Sequence, residues 1–470
     1  MDDYFNGREF RNKLTKYEKA KQEGLSVFLD CDDLIDIAEF YHMQGHDDDA
    51  MRVCDEALQI FPDSNRPLIF MARSALLVGN DSDKAEEILG QVSDTSDLDY
   101  YYLKAEILIV RHEEKEAASY LQYVYEVLID EADKPDFVLD VAELMADYSL
   151  IEDAQYWLGL SDESGLDDYQ EIKGRIAMES GRPEEGERIF TRLLDKNPYS
   201  AVWWNRLAMA QSMQGRISDS ISSSEYSIAI NPTDDEALMN KANGLFSLGN
   251  YEEALQYYKR YTAVGDKNLG LAFQGITYMA LHDDATAYEY LEKAAIGCPD
   301  SHPNKLEIIR QLCGCLITMH RTEDAATWAD RMMLLPQSDN DEILAFKGYL
   351  YLSADWQKLA RDCFSEALTH SGMRPEIVMS VCVAFHDCGF YTQSYELATT
   401  FLQNTQAALP FGYAYLADSC MRLHKDREGI EYLRKACELN PEEVECVFAD
   451  NIPEGVQPSD YWKYLISSKK

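Results

Sequence analysis

The sequence predicts an all-α fold, an α-α superhelix built from about twelve helix hairpins. Three observations predict it. A small residue returns about every 34 residues, at Ala38, Ala105, Ala142, Gly174, Ala208, Ala242, Gly275, Cys313, Gly348, Cys382 and Ala417, with one imperfect place near Arg73. Around each small residue the larger apolar side chains fall at i, i+3, i+4 and i+7, the spacing of one helix face. Glycines, acidic turns and prolines then punctuate the chain between such faces. Self-similarity at this period means stacked supersecondary units rather than one globular core.

The chain opens with a stretch, 8 to 23, that reads as one helix with Phe10, Leu14 and Tyr17 along a stripe. It holds six basic residues (Arg8, Arg11, Lys13, Lys16, Lys19, Lys21) and is the one basic island in the sequence. Two roles are open to it: a cap whose cations lie over acidic neighbours, or an arm that docks a second copy or a partner. The clearest unit follows, Cys31 to Ser64. Leu34, Ile37, Ala38 and Tyr41 share a face, Gly45 and the acidic turn Asp47 to Asp49 break the chain, and a second helix begins near Ala50. Cys54, Ala57 and Leu58 lie on its inner side, and Pro62 stops it.

Gly174, Phe190 and Pro198 repeat that arrangement 136 residues on, four periods later. Trp204, Leu207, Ala208 and Pro232 come one period after, and Leu271, Gly275, Tyr278, Ala287, Leu291, Ala294 and Pro299 repeat it again. Tyr413, Leu416, Ala417, Leu433, Ala436 and Pro441 form the last unit. Starts are expected near 31, 66, 98, 135, 167, 201, 235, 268, 306, 341, 375 and 410. The second unit departs most, because Arg73 stands where a small residue is expected. Past Pro441 a short helix, the turn-rich NIPEGVQPSD, and a helix capped by Ser459 and carrying Tyr461, Trp462 and Leu465 complete the chain. The expected division is a capping helix over 1–30, the array over 31–443 and a capping segment over 444–470.

On these residues the chain resembles the tetratricopeptide-repeat proteins, over 31 to 443, and looks like a bacterial-type cytoplasmic multi-repeat array. The resemblance implies a right-handed solenoid. It further implies that the first helix of each unit lines a concave face, with motif positions 2, 5, 6, 9, 12 and 13 looking into the groove. Carried over, those positions hold Asp32, Asp36 and Glu39 in the first unit and Asp136, Asp140, Glu143 and Asp147 in the fourth. Residues 131 to 171 hold thirteen acids and a single Lys134, an acidic stripe suited to a Lys/Arg-rich segment or simply a solvated surface. Later units place Met209, Met213, Met239, Phe246, Phe273, Met279, Phe346, Tyr349, Met379 and Tyr415 inward, with Asn205, Asn240 and Asn243 among them. Methionines and aromatics on an open face mark an interaction surface, and asparagines suit the backbone of an extended peptide. The competing reading is that the superhelix buries some of them in its own turns.

Some members of the family clamp a C-terminal carboxylate with Lys, Asn and Arg on successive repeats. Repeats six to eight hold Asn205, Met209, Asn240, Leu269 and Phe273 there; repeats five to seven hold Glu171, Arg175, Arg206, Glu236 and Asn240. The first set lacks every cation and the second sets two carboxylates against the ligand, so a carboxylate clamp is not expected.

The net charge of −41 argues against nucleic acid and anionic membrane as partners. The charged start MDDYFNGREF lacks the apolar core of an export signal, and the best apolar run, Tyr100 to Val110, is broken by Lys104 and Glu106. A cytoplasmic chain is expected, its eleven cysteines reduced and packed rather than bridged. No cofactor or metal is expected. His42 and His46 straddle a helix end, Cys313 and Cys315 lack a second pair of ligands, and Asp81, Asp83, Glu86 and Glu87 lack the spacing of a calcium loop. His386, Asp387 and Cys388 are sequence neighbours, which on a helix point in different directions. The run Ser218 to Ser227 reads as a packed helix. No phosphate loop, HExxH helix, nucleophile elbow or dinucleotide fingerprint is present.

The sequence therefore points to a non-catalytic interaction scaffold that takes a peptide or helix of a partner protein. The alternative is a peptide-sensing regulator working through a separate DNA-binding or signalling partner. A homo-oligomer through either end helix stays open.

Overall fold

A computed structural model describes the chain apart from residues 1–4, 6, 24–27, 45, 78, 80, 406–410, 449–451, 454–455 and 469–470. The break expected at Gly45 and part of the turn-rich NIPEGVQPSD lie outside the described residues. No strand occurs among those described, and their helices pair into twelve hairpins.

The chain divides into two compact units, Met1–Asn231 and Pro232–Lys470. In the first, Arg8–Glu23 precedes hairpins 1 to 6: Cys31–Met43 with Asp47–Ile60, Arg66–Leu77 with Ser82–Leu89, Leu98–Val110 with Glu114–Tyr123, Lys134–Asp147 with Ile151–Leu160, Asp167–Glu179 with Pro183–Lys196, and Ala201–Met213 with Ile217–Ile230. In the second, hairpins 7 to 12 are Asp235–Ser247 with Tyr251–Val264, Lys267–Ala280 with Asp284–Gly297, Lys305–Thr318 with Thr322–Met332, Asn340–Ser353 with Gln357–His370, Pro375–Asp387 with Tyr391–Thr405, and Tyr413–Arg422 with Asp426–Leu439. Pro441–Phe448 and Tyr461–Ser468 follow.

The small residue of the repeat sets the crossing of each hairpin. The position sixteen further on, in the second helix, is buried against it: Ala38 with Cys54, Ala142 with Leu158, Ala242 with Tyr258, Ala417 with Leu433. At Gly174 a Cβ would stand 2.8 Å from Cζ of Phe190, and at Gly275 it would stand 2.6 Å from Cγ of Leu291. Those side chains fill the space a methyl would need, so glycine there serves packing. Hairpin 2 solves the same problem one residue early. Ala72 is fully buried, and Arg73 turns out toward Asp99 and Glu106 of the next hairpin.

The turns within hairpins share one device. Hairpins 3 to 12 each set one residue at positive φ between their helices, glycine at Gly181, Gly215, Gly249 and Gly389. His112, Ser149, His282, His320, Asp355 and His424 hold the same conformation without glycine's freedom. In hairpin 1 the acidic run Asp47 to Asp49, expected as a turn, is the first turn of the second helix. Carboxylates there face the positive end of the helix dipole, which favours helix over turn.

First helices of successive hairpins lie against one another from hairpin 1 to 6 and from hairpin 8 to 12, and most second helices pack on the first helix of the next hairpin. The first helices thus form a wall over hairpins 1 to 6 in the first unit and over hairpins 8 to 12 in the second. Phe10, Leu14 and Tyr17 of Arg8–Glu23 join Leu34, Ile37 and Ala38 in one core, and Lys13 and Lys21 reach Asp33 and Glu56. At the other end Val444, Phe448 and Tyr461 close over Leu433 and Ala436. Ser459, expected as a cap, sits inside a 3₁₀ turn, Pro458–Asp460, that leads into Tyr461–Ser468.

Candidate functional site

In the first unit the wall is charged. Asp136, Asp140, Glu143 and Asp147 are exposed along one side of Lys134–Asp147, while Phe137, Val141, Ala142 and Met145 are buried on the other. Neighbouring first helices reach across: Tyr102 Oη donates to Asp140 at 2.8 Å, and Arg175 pairs with Glu143 at 3.4 Å and with Asp147. Arg66 meets Asp32 at 2.6 Å, and Arg73 lies 3.6 Å from both Asp99 and Glu106. Desolvation against the packed helices raises the carboxyls of Glu39 and Glu106 above their ordinary range, and also those of Asp140 and Glu143, although these two keep exposed side chains. Within the acidic stripe Arg175 is therefore paired with Glu143 and Asp147, and Arg66 and Arg73 pair with acids of the earlier first helices. Sequence reasoning missed these arginines because each lies on a different repeat from the acids it meets.

At the end of that unit Met209 and Met213, each nearly half exposed, line a small cavity of about 140 Å³ with Arg175, Met178, Glu179 and Arg206. Asn205 is 2% exposed and offers no surface to a partner.

In the second unit a larger cavity, about 340 Å³, opens on the first helices of hairpins 9 to 11. Phe346 and Tyr349 meet there, their rings near parallel with centroids 6.4 Å apart. The guanidinium of Arg310 lies 4.8 Å over the Phe346 ring and donates to Glu342 at 2.6 Å. Ser380, Val383, Ala384 and Asp387 supply the facing side, and Phe411 closes one edge. Arg310, Glu342, Ser380, Val383 and Asp387 all fall at inward positions of the expected register. A search for methionine and aromatic side chains passed over them because four are polar and the fifth is small.

The other expected residues are placed apart from this cavity. Phe273 stacks flat on Tyr258, centroids 5.2 Å apart, and so packs between hairpins. Phe246 meets Tyr251 at 5.2 Å, and Asn243 accepts from Tyr258 Oη at 2.7 Å. Met239, Asn240 and Met279 are half-buried. Tyr415 presents an edge to His386 at 5.1 Å. Met379 is fully buried, its methyl against Gly412 of the next hairpin. Asn205 and Met379 hold the same fifth position of their repeats, and both are buried.

Beside the cavity His386 is held by two carboxylates, Nδ1 to Asp387 and Nε2 to Asp418, both at 3.0 Å. Arg422 also meets Asp418, at 3.2 Å. Burial alone would pull the imidazole pKa down, but the two hydrogen bonds outweigh it and hold it up at about 9. The neighbours His386 and Asp387 thus do touch, contrary to the sequence expectation. The pair carries no nucleophile: the Cys388 thiol lies 3.6 Å from Ser353, with its pKa raised by burial. Among the described residues no group of three or more His, Cys, Asp or Glu is placed to hold a metal ion. No helix among them is long and apolar enough to cross a membrane.

One family, described as Bacterial transcriptional activator domain, matches residues 177–282, less than a quarter of the chain. No curated protein sequence matches. Among solved structures, the Cut9–Hcn1 hetero-tetramer of the APC/C is 15% identical over 90% of this chain and 94% of that one, with a TM-score of 0.34. YrrB, described as a TPR protein with an unusual peptide-binding site, is 15% identical over 38% of this chain and 91% of its own, with a TM-score of 0.30. The pilus biogenesis factor PilW is 13% identical over 45% and 96%, with a TM-score of 0.39. At TM-scores under 0.5 none of these likenesses says anything of function. By its own repeat, a hairpin about every 34 residues with a small residue packed on the position sixteen later, the chain resembles the tetratricopeptide-repeat proteins.

Proposed function

We propose that the chain is a non-catalytic, cytoplasmic scaffold that holds a peptide or helix of a partner protein against the first-helix wall of its second unit. One observation carries the reading: the open cavity of about 340 Å³ in which Phe346 and Tyr349 stand half-buried beside Arg310, Glu342 and Asp387. That volume is within the range of ligand sites, and an apolar floor with few polar groups is their usual make-up. Aromatic anchors in such a pocket supply most of the affinity of an interface. Arg8–Glu23 and the segment after residue 444 act in this reading as caps, keeping the ends of the stack from exposing an open hydrophobic face.

The experiment is recovery of partner from native lysate by the wild type, by Phe346→Asp and by Leu359→Asp. Leu359 is exposed on a second helix, away from the cavity. Phe346→Asp is expected to lose the partner at unchanged helical content, and Leu359→Asp to keep it. Equal recovery by all three would overturn the reading.

A second reading rests on the family match over residues 177–282. In it the array is the sensing part of a transcriptional regulator, and a separate protein binds the DNA. Recovery of a partner that shifts promoter DNA only in the presence of this chain supports it; a partner with no DNA affinity argues against it.

A further inference from the structure

The cavity of hairpins 9 to 11 is one part of a longer trough. A second cavity, lined by Asp339, Glu342, Arg374, Glu376, Ile377, Ser380 and Phe411, shares Glu342, Ser380 and Phe411 with the first. Along the helix Pro375–Asp387 the residues Glu376, Ser380, Val383 and Asp387 follow at steps of four, three and four, so they stand on one face. Glu376 marks one end of the trough and Asp387 the other. Eleven residues of helix separate them, roughly 16 Å at 1.5 Å per residue. Between them Phe346, Val383 and Phe411 supply an apolar floor, beside Ser380 and the mutually paired Arg310 and Glu342.

The cations along the trough are already engaged. Arg310 is paired with Glu342 at 2.6 Å, and Arg374 with Asp339 at 2.6 Å and Asp341 at 3.7 Å. His386 leans on Asp387 but divides its charge with Asp418. What the trough offers a ligand is therefore a carboxylate at each end and an apolar floor between. An extended chain advances about 3.4 Å per residue and covers 16 Å in about five.

We infer that the trough takes an extended segment carrying two Lys or Arg about five residues apart, with one bulky apolar side chain between them. The inference rests on the groove reading above and names the chemistry of its partner. Opposed charge at the two ends sets register and direction, and the apolar side chain on Phe346 supplies affinity.

The test is selection of a random octapeptide library on the immobilised full chain, with the retained pool sequenced. The expected pool is enriched in Lys or Arg at two positions five apart, with an aromatic or aliphatic residue between. Glu376→Gln should lower the cation preference at one position by about threefold and Asp387→Asn at the other, the scale of an exposed ion pair, while the apolar preference persists and shows that the trough is still folded. A pool with the apolar preference and no paired cations overturns the inference and leaves the groove reading standing. So does a cation preference of no fixed spacing that survives both substitutions, which is the bulk charge of the chain. Retention of no peptide at all overturns both.

Discussion

Between pH 6 and pH 10 hairpins 11 and 12 should lose about 3 kcal/mol of stability through one imidazole. His386 is raised from 6.5 to about 9 by its hydrogen bonds to Asp387 and Asp418. A folded-state pKa above the unfolded one stabilises fully below about 6.5, and the stabilisation fades as pH rises through 9. A shift of about 2.5 units at 1.36 kcal/mol each gives the figure. On the acid side the sign reverses. Asp418 is buried, yet its bonds to His386 and Arg422 hold its carboxyl below the ordinary range, so that contribution is lost as pH falls through its folded value. Stability from the cluster therefore has a plateau between the acid range of Asp418 and pH 6.5. The assay is the ring ¹³C shift of labelled histidines against pH, with His386→Gln to assign the signal. Urea unfolding of both proteins at the two pH values measures the energy, and the difference between their pH losses removes every other titrating group. A midpoint near 6.5, or equal losses in the two proteins, would refute the cluster as described.

Three further outcomes are expected. His282→Gly should stabilise the second unit by about 1 kcal/mol in thermal unfolding, because a non-glycine residue at φ 60 is strained; a lower midpoint would contradict the strain. Gly174→Val should cost about 1–3 kcal/mol in urea unfolding, since its Cβ would enter the ring of Phe190; an unchanged midpoint would show that the hairpin tolerates a wider crossing. Arg73→Met should leave the largely buried Glu106 carboxylate without its cation and cost about 2 kcal/mol at neutral pH, recovered in part as pH falls and the acid protonates; a loss independent of pH would mean that Arg73 acts by packing alone.

The hairpins were legible because the small residue and its partner sixteen positions on must both be right for two helices to touch. That is a local, one-dimensional constraint, and it survives degenerate sequence. Where it slipped, at Arg73, the chain used Ala72 instead, and a one-residue shift cannot be seen without the neighbouring helix. The run Asp47 to Asp49 reads as a turn by composition and folds as a helix start by electrostatics. The site was less legible for a different reason. An inward position faces either the open wall or the neighbouring first helix, and only stacking decides which. Asn205 is buried, Met379 lost its exposure to Gly412 of the next hairpin, and Phe273 was drawn onto Tyr258. Phe346 and Tyr349 stayed open, and the residues that complete their cavity are polar or small, so apolar patterning alone could not gather them.

The most direct test replaces Tyr349, in the cavity, or Leu359, on a second helix, with a photo-crosslinking residue and maps the captured peptide by mass spectrometry. The account predicts one defined partner segment joined at 349 and none at 359. A segment joined at 359 alone, or equally at both, would contradict it.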